Sequence, residues 1–140
     1  ILGGGIVAGP GIRAAEVLGA DFAYLGTRFI PTTESMANDK YKQMLVDSTE
    51  EDVILTAHFT GVPANYLRPS IENAGIDPDK LSVRKEKKFD SRGDKKNEAA
   101  KAWKDIFSAG QGLRAIEQVQ SVSDLVADLK AGYDKAKAAP

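Results

Sequence analysis

The chain has 140 residues, 42% of them hydrophobic and 28% charged, with 19 Lys and Arg against 20 Asp and Glu and a formal charge of −1. That balance is globular, and it gives no electrostatic footprint for a nucleic-acid backbone or an anionic membrane. The absence of cysteine excludes disulfide scaffolds, thiolate metal sites and Cys nucleophiles together and suits a reducing compartment. No apolar run approaches a spanning helix and no basic-then-apolar leader is visible, so the expectation is a soluble, cytoplasmic chain.

Ile1-Leu2 running into Gly3-Gly4-Gly5 reads as the end of a buried strand entering a tight turn, because three glycines are costly inside a helix. A strand end with no polar lead-in suggests that a segment precedes it. Gly9-Pro10-Gly11 punctuates the turn, and Ile12, Ala14, Ala15, Val17 and Leu18 carry helical spacing over 11–18, with Gly19 as the C-terminal cap. Phe22-Ala23-Tyr24-Leu25 is the next strand and closes on Gly26. Strand, turn, helix and strand within thirty residues make a βαβ unit with a parallel pair and a right-handed crossover.

Beyond it, Thr32 to Ser35 form a polar link to a helix over 39–47, with Tyr41, Met44 and Leu45 on one face. Val53 to Thr56 reads as a strand or an extended connector. Pro63 and Pro69 bracket Ala64 to Arg68, and Ser70 to Ala74 form a short helix ending at Gly75. Residues 84–98 are the most polar stretch and read as a solvated, locally basic loop. Helices resume over 97–106 and over 123–136, the latter with a Leu125, Val126, Leu129, Tyr133 stripe and Ser123 with Asp124 as its N-cap signal. No internal repeat is visible. The division expected is 1–35, the βαβ unit with its glycine turns, and 36–140, a mostly helical extension.

Two glycine turns at the ends of neighbouring parallel strands lie on one sheet edge. Backbone N–H groups there are open to close approach by a phosphate, and the helix that follows adds its positive end. Two successive glycine strand ends also match the phosphate site of a (β/α) barrel. Thr27 adds a hydroxyl and Arg28 can supply charge. The plainer reading, glycines that only permit tight turns, is preferred for either cluster alone, and phosphate for the pair in register. A rival is the dinucleotide fingerprint, which Gly3-Gly4-Gly5-Ile6-Val7-Ala8 nearly satisfies. That fold wants an acid after the second strand, where this chain has Arg28, which could instead accommodate the 2′-phosphate of NADP. Gly9-Pro10-Gly11 interrupts the place where its helix should begin.

Leu2-Gly3-Gly4-Gly5-Ile6, Gly9-Pro10-Gly11, Leu18-Gly19-Ala20-Asp21 and Leu25-Gly26-Thr27-Arg28-Phe29 resemble the paired FMN-phosphate motifs of the nitronate monooxygenases, also called 2-nitropropane dioxygenases. Glu34-Ser35 with Tyr41-Lys42, Phe59 to Ala64 with Leu67-Arg68, and Ser108-Ala109-Gly110-Gln111-Gly112 follow in the same order as in that family's C-terminal half. The similarity runs from Ile1 to about Leu129.

The resemblance implies an α/β fold, the C-terminal part of an FMN-binding TIM-type (β/α)8 barrel with a helical extension, oxidising alkyl nitronates with dioxygen. Flavin-dependent enoyl reductases and quinone reductases share these motifs and are the alternative substrate classes. FMN is the implied cofactor, with Gly4, Gly5, Leu25, Gly26 and Thr27 at its phosphate. Gly110 and Gln111 are candidates for the ring, against the plainer reading of a flexible interhelical turn. The family's catalytic histidine belongs to an upstream glycine-rich motif that is not in this chain. A barrel takes about 250 residues, so the partner expected is the N-terminal part of the barrel, and the isolated segment is expected to be inactive.

His58, the sole histidine, is declined as a general base, and one His without Cys makes zinc improbable. Trp103 and Phe107 read as core, and Arg92-Gly93-Asp94 carries no weight as an adhesion tripeptide.

Overall fold

The structure is a computed structural model that describes residues 1–82 and 105–139. The expected 84–98 loop, Arg92-Gly93-Asp94, Trp103 and nearly all of the expected 97–106 helix lie outside those residues. The described chain falls into two compact units, one of Ile1–Glu50 with Gly110–Pro140 and one of Glu51–Ala109. The boundary expected after residue 35 falls inside the first unit.

In the first unit, strand β1 (Leu2–Gly3) pairs in parallel with β2 (Ala23–Tyr24), Leu2 opposite Ala23 and Gly3 opposite Tyr24, as the βαβ reading requires. Helix α1 (Gly9–Val17) connects them. It begins two residues earlier than expected. Gly9-Pro10-Gly11 starts the helix instead of interrupting it, because Pro10 lies in the first turn, where its missing N–H had no intrahelical partner anyway. The interruption counted against the dinucleotide reading therefore does not exist. Gly19, at φ +89°, closes α1 as expected, donating to the Glu16 carbonyl at 2.9 Å.

Helix α2 (Asp39–Asp47) is capped by the Asn38 side chain, which accepts the Tyr41 N–H at 2.8 Å. It buries Leu45 and, unexpectedly, Lys42. Helix α4 (Val122–Ala138) starts at Ser121, not Ser123: Ser121 Oγ accepts the Asp124 N–H at 3.1 Å, and the Glu34 carboxylate accepts the Val122 N–H at 3.0 Å. Leu125 and Leu129 face the core with Leu45, Leu113 and Ile116, while Val126 is half exposed.

Helices α1 and α4 touch through glycine. A Cβ at Gly9 would overlap the backbone of Gly132 and Tyr133, so no other residue fits there without moving a helix. Tyr133 hydroxyl donates to Glu16 Oε2 at 2.7 Å, which Arg13 also holds at 2.6 Å.

The second unit is a hairpin of β3 (Val53–Thr56) and β4 (Ala64–Leu67), antiparallel, with Val53 opposite Leu67, followed by helix α3 (Arg68–Asn73). Tyr66, Ile71 and Ile106 form its core, with Ile54, Phe59, Ala64, Ile76 and Leu81 packed on it. Phe107 is half-buried and serves through its backbone, its carbonyl accepting the Leu67 N–H at 2.8 Å. No helix among the described residues is long and apolar enough to cross a membrane.

Gly9→Ala is expected to destabilise the first unit by about 3 kcal/mol through overpacking against immovable backbone. Gly132→Ala should be close to neutral. Its Cβ would lie 3.3–3.5 Å from Gly9 and Pro10, and that crowding is offset by the roughly 1 kcal/mol gain in helix propensity. Urea unfolding of the two variants checks the contrast.

Glu16 titrates below its ordinary 4.5, chiefly because Tyr133 and then Arg13 hydrogen-bond its carboxylate. A depressed native pKa stabilises the fold above the unfolded value and loses that contribution as pH falls through the native one. Tyr133→Phe should therefore lower the urea midpoint at neutral pH, and the difference from the parent chain should shrink well below pH 4.5.

Candidate functional site

The candidate site is built where the β1 and β2 ends leave the sheet. β1 and β2 are parallel neighbours, Leu2 opposite Ala23 and Gly3 opposite Tyr24, so the turns that follow them depart from one edge. Gly4 and Gly5 have φ of +95° and +67°, a region closed to most side chains, so the turn itself demands them. Gly26 differs. Its φ is −105°, and an added Cβ would meet only the Tyr24 ring edge at 3.9 Å. Neither backbone strain nor internal crowding explains a glycine there. Cβ atoms at Gly4 and Gly5 would likewise meet nothing within 4 Å, so all three backbones border open space.

Thr27 opens a 3-10 turn over Thr27–Phe29, and its Oγ1 accepts the Gly110 N–H at 2.8 Å. That contact brings two of the expected site segments together across 83 residues of sequence. The neighbouring glycine is equally constrained, since a Cβ at Gly112 would overlap the Val7 methyl groups. The Gly110–Gly112 loop is thus tied to both turns, through Thr27 and through Val7, and is not a free interhelical link. Gln111 is exposed between the two pinned glycines. Leu25 is half-buried and enters the site through its backbone position between β2 and Gly26.

Arg28 is half-buried with its Nε enclosed and unpartnered. Burial lowers its pKa, against the opposing pull of Asp128 and Glu117. Both acids share its field, so the case for an anion rests on backbone N–H groups. His58 belongs to the second unit, with Nδ1 2.8 Å from the Ser82 carbonyl and its ring edge-on to Phe59 at 5.0 Å. The Val7–Gly112 contact and the burial of Lys42 were not legible as site features. The only signal for Lys42 is its position three residues before Leu45, on the same helical face.

Thr27→Val should leave the Gly110 N–H without its acceptor and cost about 1–3 kcal/mol, whereas Thr27→Ser retains the bond. Amide hydrogen exchange at Gly110 should accelerate in the first variant and stay slow in the second.

The sequence profile described as nitronate monooxygenase matches residues 1–132. A nitronate monooxygenase of Paraburkholderia phytofirmans is 37% identical over 78 residues, which are 56% of this chain and 21% of that protein. A protein of Staphylococcus haemolyticus named a probable nitronate monooxygenase is 42% identical over 67 residues, 48% of this chain and 19% of its own length. Among solved structures, the nitroalkane oxidase of Streptomyces ansochromogenes superposes with a TM-score of 0.66 at 32% identity, over 96% of this chain and 39% of the other. FabK of Thermotoga maritima superposes at 0.68 with 23% identity, over 96% and 44%, a likeness of fold. The aligned stretches thus span about a fifth of the curated relatives and about two-fifths of the solved chains. With its profile matched from Ile1 to residue 132, the chain belongs to the nitronate monooxygenase family.

Proposed function

We propose that this chain forms the phosphate-holding side of an FMN site in a TIM-type (β/α)8 flavoenzyme that oxidises alkyl nitronates with dioxygen. The observation that carries the reading is Gly26, a glycine that neither its φ nor its neighbours require, beside open space at the strand edge it shares with the Gly3–Gly5 turn. Close approach of an anion to the backbone is the remaining reason to exclude a side chain there.

In this reading the N–H groups of Gly4, Gly5, Gly26 and Thr27 and the backbone at Leu25 surround the phosphate. Thr27 Oγ1 is already an acceptor for Gly110, so its own proton is free to be donated to the phosphate. The pinned Gly110–Gly112 loop holds Gln111 towards the ring end of the cofactor. FMN, when bound, supplies the reversible redox centre, and the protein supplies orientation and electrostatics. The base that takes the substrate proton is assigned to residues outside this chain. Exposed Tyr24 on β2, Phe22 just before it, and Val17 and Leu18 at the end of α1 are surfaces that the remaining barrel would cover.

The test compares FMN with riboflavin, which lacks the phosphate. The chain should bind FMN at least tenfold more tightly, about 1.4 kcal/mol, and Gly26→Ala should erase that preference while leaving the urea midpoint unchanged. Equal affinities for the two flavins in the parent chain, or an undiminished preference in Gly26→Ala, would overturn the phosphate assignment.

A further inference from the structure

The Thr27 hydroxyl has two sides. Its oxygen accepts the Gly110 N–H at 2.8 Å, and a donor seated on the lone pairs turns the hydroxyl proton away from itself, towards another acceptor. Residue 110 is a glycine because of this contact. Its φ is not positive, but a Cβ there would lie 3.1 Å from Thr27 Oγ1, closer than ordinary van der Waals contact, and would push the N–H off the hydroxyl. Two residues on, a Cβ at Gly112 would overlap the Val7 methyl groups, so the same short loop presses on the segment that follows Gly5. Leu113 then anchors it from the other side, fully buried at the start of the Leu113–Ala115 3-10 turn.

We propose, building on the phosphate reading of the two glycine turns, that Gly110 is a positioning residue for the phosphate. It acts through Thr27 and does not touch the anion. Its N–H aims the Thr27 proton outward and strengthens it as a donor, because hydrogen bonds in a chain polarise one another. An anion that accepts this proton makes Oγ1 in turn a better acceptor, which tightens the hold on Gly110. The coupling is reciprocal: the factor by which phosphate strengthens the loop contact is the factor by which the contact strengthens phosphate binding. The loop that carries Gln111 is thus fixed by the phosphate end of the cofactor, which favours a phosphorylated flavin over one that only fits the ring.

The experiment measures amide hydrogen exchange in the ¹⁵N-labelled chain with and without inorganic phosphate, and the affinities of inorganic phosphate, FMN and riboflavin by equilibrium dialysis. Saturating inorganic phosphate, which has no ring to touch the loop, should slow exchange at Gly110 roughly fivefold or more. Exchange at Gly19, whose N–H closes α1, should not change. Thr27→Val should abolish the phosphate effect and Thr27→Ser should keep it, while Gly110→Ala should weaken inorganic phosphate severalfold. Unchanged Gly110 exchange in bound phosphate, equal slowing at Gly19, slowing that survives Thr27→Val, or undiminished phosphate affinity in Gly110→Ala would each overturn the coupling. In all four cases a preference for FMN over riboflavin leaves the phosphate assignment standing. Equal affinities for the two flavins would remove that assignment and the coupling with it.

Discussion

Helix α1 lies where it does because residue 9 has no side chain. The backbone of Gly132 and Tyr133 occupies the volume that a Cβ would need, and this contact fixes the first residue of α1 against the middle of α4. Everything N-terminal to it inherits the constraint. Five residues separate β1 from Gly9, and the chain crosses that gap with two left-handed glycines and a Val7 whose methyl groups fill the space left open by Gly112. The glycine-rich turn is therefore held at both ends: by strand pairing with β2 and by a helix that cannot slide along its partner. Donors that are to meet an anion without reorganising must be held in this way.

The glycines of the first unit sort by physical cause. Gly9 and Gly112 are required by crowding, and Gly4, Gly5 and Gly19 by backbone conformation. Gly26 is required by neither, and only this kind of elimination makes it informative. In the sequence all of these look alike. A pattern of glycines after apolar strands identifies the turns and even their shared edge, because strand alternation and helix spacing are local. It does not say which glycine is left for a ligand, because the atoms that explain the others lie more than 100 residues away, or in φ.

The same distinction separates what could be read from what could not. The parallel pair, the Gly19 cap, α2 and the body of α4 follow from local periodicity and punctuation. The β4 strand does not, because Pro63 and Pro69 bracket it and suggest irregular chain, whereas Pro69 is taken up in the first turn of α3. The start of α4 was displaced by two residues because Ser121 and Ser123 are equivalent as cap candidates, and the choice is settled by Glu34 meeting the Val122 N–H from 88 residues away. The link from Thr27 to Gly110 was invisible for the same reason, although both residues were singled out separately. The burial of Lys42 leaves no mark in the sequence, because charge argues for exposure and only its neighbours decide otherwise.

In the proposed reading the glycine edge meets its anion with donors that belong to the backbone, while the guanidinium of neighbouring Arg28 shares its field with Asp128 and Glu117. The attraction is then spread over several N–H dipoles, with the N-terminal end of α1 a few residues on, which suits a phosphate whose charge is shared among several oxygens. A chain with a net charge of −1 needs no basic patch to hold an anion in this way.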